Sequence, residues 1–289
     1  MNNSGSSNRQ VLGGYAAFRT LEGDGFEVRR ALPSAYAEAI GPLIFLDHFG
    51  PITVGPGQAL GASAHPHTGI ETLSLLLEGR FEHKDSLGNR SAMGPGDVQW
   101  MRAGRGIVHD EGPDAAFKAA GGTIHGIQLW LNMPRGTKLD APAYRHVAQA
   151  EIPVLEGVGA RARLVAGKAG GQVGPLLTHG NPLVLHGSLQ DRGSLAFDVP
   201  DARELAAYVM TGSVVFDGGE AVTAGHLVVL SPRGAVQMAA TGAAEVLLIG
   251  GDPLDAPIVR HGPFVTNSAE EMQQAIRRYQ AGEMGRITV

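Results

Sequence analysis

The sequence predicts an all-β protein of two similar units, closed by one short C-terminal helix. Its apolar segments are brief and end in turn formers. Glycine and proline are abundant, at 42 and 17 of 289 residues. The strand–turn–strand pattern of the first half also returns in the second. A chain of 289 residues exceeds the roughly 100–200 residues of one ordinary domain, so two modest cores are expected.

The elements follow in order. The opening Met1-Asn-Asn-Ser-Gly-Ser-Ser-Asn-Arg-Gln10 is polar and has no apolar stretch of the kind a secretory leader needs, so residues 1–14 are expected to be a flexible tail. Short apolar runs at 42–47, 70–77, 98–101 and 126–131 are bounded by Gly, Pro, Asn or Asp and read as strands. The stretch Asn132-Met-Pro-Arg-Gly-Thr-Lys-Leu-Asp-Ala-Pro142 is dense in turn formers. It places the boundary near residue 140, giving a first unit over 15–140 and a second over 141–289. Strands return at 206–212, 227–231 and 244–250, and Asp217-Gly218-Gly219 supplies hairpin-turn residues that tolerate positive φ. A strand ending in Gly79, a hairpin, Gly94-Pro-Gly96 and another strand are echoed by a strand ending in Gly212, a shorter hairpin, Ala224-Gly225 and another strand. An internal duplication accounts for that echo. Ser268-Ala-Glu-Glu271 is a capping box, and Met272, Ile276 and Tyr279 recur at helical spacing before Gly282. A helix over 268–282 with one apolar face is expected, serving to pack on a sheet.

Composition excludes several classes of function. With 43% apolar and 18% charged residues and a net charge of −5, the chain is a folded soluble type. It offers no Lys/Arg cluster for phosphate neutralisation, so direct nucleic-acid binding is not expected. No apolar run approaches the ~18 residues of a membrane span, and the expected location is the cytoplasm. Cysteine is absent. Disulfides, thiolate nucleophiles, Cys-based zinc sites and iron–sulfur clusters are therefore excluded, and any metal must sit on His, Asp or Glu.

Four residues carry a metal-ligand pattern: His65 and His67 in Ala64-His-Pro-His67, and His109 and Glu111 in Ile107-Val-His-Asp-Glu111. Residues i and i+2 of a strand share a face, so each pair presents two donors on one side. An exposed strand with alternating histidines would look like His65/His67 alone. The His-x-Glu pair some forty residues later, after a hairpin and the Gly94-Pro-Gly96-Asp97 turn, favours a metal. If the strands face one another, three imidazoles and a carboxylate converge. They would suit Fe, Mn, Co, Ni, Cu or Zn without selecting among them. A six-coordinate divalent ion so held would keep a net charge of about +1 and two adjacent positions for water, substrate or dioxygen.

The other candidates read as structure more readily than as chemistry. His48, beside Asp47, either lines the metal cavity or packs at a strand end. His125 reads as a satisfied core histidine before a supporting partner of the metal. Glu82, His83 and Asp85 belong to a hairpin arm expected to be solvated. Gly94-Pro-Gly96 and Gly104-Arg-Gly106 are turns, since neither leads into the Lys-Ser/Thr and helix of a phosphate loop. In the second unit His179, His186, His226 and His261 are scattered, with no His-x-His or His-x-Glu pair. That unit is expected to be a metal-free duplicate.

The segments Phe45-Leu-Asp-His-Phe-Gly-Pro51, His65-Pro-His-Thr-Gly-Ile-Glu-Thr72, Leu77-Glu-Gly79, Glu82-His-Lys-Asp85, Gly88-Asn89 and Gly96-Asp-Val-Gln-Trp-Met-Arg-Ala-Gly-Arg-Gly-Ile-Val-His109 resemble the pirin family of bicupins. The likeness is dense over 42–135 and thinner through 208–251 and Gly262-Pro-Phe-Val-Thr-Asn267 with the final helix. It implies two cupin barrels of the jelly-roll type and one iron per chain, held by the residues matching His65, His67, His109 and Glu111. Most cupins carry a Glu five residues after the second His, where this chain has Thr72 with Glu71 one place earlier. Glu111 is therefore the expected carboxylate and Glu71 the backup. Glu71, if buried without a metal, needs another partner, because an unpaired buried carboxylate is costly.

The resemblance further implies an Fe(II)-dependent dioxygenase of the quercetin 2,3-dioxygenase type, acting on a flavonol and dioxygen with Glu111 as base. Zn, Mn, Ni, Co or Cu would fit the same donors. The alternative it implies is an iron- or redox-sensing protein that binds a transcription factor or metabolic enzyme. It also implies a monomer.

Overall fold

The computed structural model describes residues 8–176, 178–199 and 203–287. In chain order the first strands are β1 (Val11–Ala16), β2 (Phe18–Glu22), β3 (Phe26–Leu32), β4 (Leu43–Val54), β5 (Ala62–His67), β6 (Ile70–Glu78), β7 (Phe81–Asp85), β8 (Arg90–Met93), β9 (Val98–Arg102) and β10 (Ile107–Pro113). After helix α1 (Ala115–Ala120) come β11 (Gly122–Asn132), β12 (Ala143–Val147), β13 (Val154–Ala166), β14 (Lys168–Ala169), β15 (Gln172–Val173), β16 (Leu183–Phe197) and β17 (Glu204–Thr211). The chain finishes with β18 (Ser213–Phe216), β19 (Ala221–Thr223), β20 (His226–Leu230), β21 (Val236–Ala240), β22 (Ala244–Gly251), β23 (Val259–His261), β24 (Phe264–Thr266) and α2 (Ala269–Gln280). The fold is mostly β and is built of two strand-rich units, as the short, turn-bounded apolar segments predict. Among the described residues no helix is long and apolar enough to cross a membrane.

The two compact units are interleaved in sequence. One gathers residues 19–30, 44–149 and 254–289, and the other gathers 1–18, 31–43 and 150–253. The break in mid-chain thus falls at 149/150, and the final segment with α2 groups with the first barrel. Residues 8–14 are not a tail. Strand β1 pairs antiparallel with β20, and the Tyr15 hydroxyl donates to the Ala31 carbonyl at 3.0 Å. Arg9 is buried, its guanidinium donating to the carbonyls of Ser231, Gly234 and Val199. A polar run can be fixed in this way when its one cation closes three backbone acceptors, which polarity alone does not reveal. The rest of the expected tail, residues 1–7, lies outside the described residues.

The second of these units is a nine-stranded sheet built on the path β1-β20-β17-β22-β16-β21-β18-β19, with β13 on β16. Its interior is close-packed with Leu164, Leu185, Val209, Phe216, Met238 and Leu248 among others. The first is made of a seven-stranded sheet, β12-β9-β6-β11-β4-β3-β2, and a four-stranded one, β5-β10-β7-β8. Strands β23 and β24 form a ribbon, and Ser268 caps α2 by accepting from the Glu271 amide. The expected helix is present, but only half of the capping box forms, since the Glu271 carboxylate accepts from the Asn267 amide; Met272 and Ala275 are the helix's buried residues, while Tyr279 is exposed.

One glycine holds the histidine strand in place. Gly69 follows His67 and Thr68 at φ +73°, and a Cβ there would sit 1.8 Å from the Val265 carbonyl oxygen. The backbone amide of Val265 in turn donates to Thr68 O at 3.1 Å. Gly69→Ala is expected to destabilise the protein by about 2–4 kcal/mol, through left-handed strain and displacement of β24. Denaturant unfolding of the variant checks this; an unchanged midpoint would contradict the packing described.

Candidate metal centre

Strands β5 and β10 run antiparallel with His109 opposite His65 and Ile107 opposite His67. Period-2 alternation puts His65 and His67 on one face, and the pairing brings His109 to them. The Nε2 atom of His65 lies 3.1 Å from that of His67 and 2.9 Å from that of His109. His67 and His109 are buried, and His65 is partly exposed.

Hydrogen bonds decide what these nitrogens offer. His65 Nδ1 lies 2.9 Å from the Ser63 carbonyl and His67 Nδ1 lies 3.1 Å from the Pro263 carbonyl. A carbonyl only accepts, so each Nδ1 carries the proton and each Nε2 presents a lone pair. Two lone pairs then face one another at 3.1 Å, an arrangement that a cation between them resolves. Metal–nitrogen bonds of ~2.1 Å at right angles set their nitrogens ~3.0 Å apart, which the two spacings match. Anchoring a ligand's other nitrogen on a backbone carbonyl is also how protein metal sites fix imidazole orientation. Burial pushes His67 down to about 3, with His65 lowering it further and the Pro263 contact opposing. Burial likewise holds His109 well below the ordinary histidine value. Both are neutral imidazoles at physiological pH, able to offer a nitrogen lone pair to a cation.

Glu111 faces His83 on β7 and Ala62 on β5, with a register shift between His109 and Glu111 in the β5 ladder. Its carboxylate lines the same cavity but stands apart from the three-histidine group, with Oε2 3.3 Å from the Ser74 hydroxyl. The structure therefore brings together His65, His67 and His109, all within 4.8 Å, and sets Glu111 on the wall beside them. Among the described residues no other group of three or more such donors comes together.

The cavity has a volume of about 920 Å³. Phe26, Phe45, Phe49, Phe81 and Trp130 supply apolar wall. Phe45 stacks on Trp130 at 4.2 Å, Trp130 meets His67 edge-on at 5.0 Å, and the Arg30 guanidinium lies over the Phe45 ring, 4.4 Å from its centroid. Arg30 is held by two hydrogen bonds to Asp47, at 2.8 and 2.7 Å, and by Glu22. The stack is thus anchored from its charged end.

Comparison with known proteins places this architecture. Residues 25–131 match the Pirin family model and residues 184–285 match the Pirin C-terminal cupin domain. The chain belongs to the pirin family. It is 38% identical over 283 residues to a Pseudomonas aeruginosa protein provisionally named a quercetin 2,3-dioxygenase, covering 95% of this chain and 98% of that one. It is 32% identical to the pirin of Homo sapiens, covering 96% and 95%. A solved quercetin 2,3-dioxygenase from Acinetobacter baumannii superposes with a TM-score of 0.89 at 30% identity, over 98% of this chain and all (100%) of that one.

Other histidines of this pirin land elsewhere. His48 and His125 are buried and pair through Nε2 at 2.9 Å, and neither lines the cavity. Glu71 is buried with Trp100 Nε1 donating to it at 3.1 Å, the partner that a buried carboxylate requires. The hairpin arm is not solvated throughout. Glu82 is partly exposed and paired with Lys84 and Arg90, but His83 and Asp85 are buried and bonded at 3.1 Å. His83 stacks on Tyr144 at 4.2 Å and lies 5.4 Å from the His109 ring, behind the three-histidine group. Alternation along Phe81, His83 and Asp85 was the signal, because it sends Glu82 and Lys84 to the opposite face.

Burial pushes His48 down to about 3 and His125 down to about 4, each also lowered by Arg29 and His48 by His125. Both are neutral in the folded protein and titrate near 6.5 when unfolded. The unfolded chain therefore binds more protons below pH ~6.5, and stability falls as pH drops from there toward 3–4. In a His48→Gln, His125→Gln double variant the slope of unfolding free energy against pH over that window is expected to fall by up to about two protons. An unchanged slope in denaturant titrations would contradict this.

Proposed function

We propose that this pirin is a metal-dependent dioxygenase that opens a flavonol ring with dioxygen, using one Fe(II) held by His65, His67, His109 and Glu111. The observation that carries this reading is the convergence of three imidazole Nε2 atoms beside an aromatic-walled cavity with a carboxylate on its wall. The names of the Pseudomonas and Acinetobacter proteins support the choice of substrate. The same donors accept Zn, Mn, Ni, Co or Cu, so Fe(II) rests on family resemblance. The second barrel is read as metal-free, and the protein as a cytoplasmic monomer.

A bound divalent ion would supply Lewis acidity and an electron path between an anionic substrate and dioxygen. The chain does the rest. The Phe45–Trp130 stack offers flat faces for an aromatic ring and excludes water. Glu111 takes the proton of a substrate hydroxyl onto a carboxylate oxygen, giving the anion that binds. Pro263 and Ser63 hold His67 and His65 in the ligating tautomer. A concave, aromatic cavity favours a small molecule as occupant over a protein partner.

The test is turnover of a flavonol under ¹⁸O₂ by protein loaded with one Fe(II). Both labelled atoms are expected in the cleaved product. Label from water, or peroxide released without cleavage, would overturn the reading.

A further inference from the structure

Ser74 interrupts the leucines of β6, and its hydroxyl is the group that Glu111 Oε2 approaches, at 3.3 Å. It lies on β6 directly opposite Gln128 on β11 and Gln99 on β9, so the three share one face of the sheet. Ser74 and Gln128 both line the cavity. The Ser74 hydroxyl lies 2.6 Å from Gln128 Oε1, to which it donates, and 3.3 Å from Glu111 Oε2. Gln99 is buried, and its Nε2 has no hydrogen-bond partner among the described residues, so the row holds a spare donor.

A hydroxyl has one proton and can accept as well. With the Gln128 carbonyl facing Ser74, as placed, that proton goes to Gln128 and leaves Ser74 Oγ and a carboxylate oxygen as two acceptors 3.3 Å apart. With the amide turned, Gln128 donates to Ser74 and Ser74 donates to Glu111. That orientation satisfies all three groups and has the same outline. A hydrogen bond, long at 3.3 Å, then holds the carboxylate on the wall, apart from the histidines.

We propose that Ser74, braced by Gln128, is a positioning residue that gives the Glu111 carboxylate a seat away from the three-histidine group. Glu111 moves between that seat and the metal. The register shift between His109 and Glu111 frees the side chain from strict alternation, so a rotation suffices for the exchange. The seat rests on the reading of Glu111 as a metal ligand and base. Its use is to let the carboxylate leave when a substrate hydroxyl arrives, without stranding a charge in an apolar wall.

A seat that stabilises the off-metal carboxylate lowers apparent metal affinity by the fraction of time it is used. The test is Co(II) affinity by chelator competition, together with the Co(II) absorption spectrum. Both are read on the full-length chain with Ser74→Ala, Ser74→Thr, Gln128→Leu, Glu111→Ala and the Ser74→Ala/Glu111→Ala double variant. Ser74→Ala is expected to bind Co(II) about three- to tenfold tighter, from loss of one long hydrogen bond in the metal-free state. Gln128→Leu, which unbraces Ser74 without touching Glu111, should shift affinity in the same direction. Ser74→Thr should restore the wild-type value, and in the Glu111→Ala background Ser74→Ala should change nothing. If Glu111→Ala weakens Co(II) binding while neither Ser74→Ala nor Gln128→Leu tightens it, the seat is overturned and the ligand reading stands. If Glu111→Ala leaves Co(II) affinity and spectrum unchanged, the ligand reading falls and the seat falls with it.

Discussion

Glu111→Gln is expected to cut flavonol turnover by about 10²–10⁴-fold while the protein keeps most of its metal. Glutamine preserves the shape and one oxygen donor, so the three histidines continue to hold the ion. It cannot take a proton, and general-base catalysis typically contributes a factor of that size. The Ser74 contact survives in the variant as a neutral hydrogen bond, so the fold around the cavity is not at risk. Anaerobic metal loading followed by single-turnover kinetics separates the two effects. Turnover equal to wild type with full metal content would reject Glu111 as the base, and loss of metal alone would make it a ligand only.

His109→Ala has the second large expected effect, a loss of metal affinity of at least about 100-fold. The reason is geometric. His109 Nε2 closes the group from the opposite strand, 2.9 Å from His65, while His65 and His67 share one strand and span a single edge. Two imidazoles on one edge remain after the change, and the outer partners that raise affinity ~10–100-fold act only through a ligand that is present. Removing a buried, uncharged ring also leaves a cavity against His83 and should destabilise the metal-free fold by about 2–4 kcal/mol. Metal content after chelator dialysis is the check; wild-type retention by His109→Ala would mean that the three-histidine group is not the metal site.

Much of this centre was legible in the sequence because it depends on strand periodicity. His65/His67 and His109/Glu111 sit at i and i+2, and a face shared along a strand needs no tertiary knowledge. What the spacing could not show was the register shift that sets Glu111 on the wall beside Ser74 instead of among the histidines. Backbone partners leave no trace in residue type either. The Pro263 carbonyl that orients His67 lies 196 positions away, in a segment that sequence order assigns to the other barrel. His83 and Asp85 were misread as solvated because charged neighbours mark a hairpin arm as surface, although alternation already split that arm into two faces. Ser74 was passed over as a small residue in a leucine strand, where a hydroxyl facing inward is itself the clue. The polar N-terminal run misled in the opposite direction, since one buried arginine and one strand pairing fix residues 8–16.

The central claim is that the three histidines hold a metal which performs dioxygen chemistry on a substrate in the cavity. Its most direct test is dioxygen consumption on adding a flavonol to anaerobically Fe(II)-loaded protein, with His67→Ala treated identically to control for free iron. The account predicts uptake by wild type with matching loss of flavonol, and none by the variant. Equal uptake by both, or no uptake from wild-type protein shown to hold one iron per chain, would contradict it.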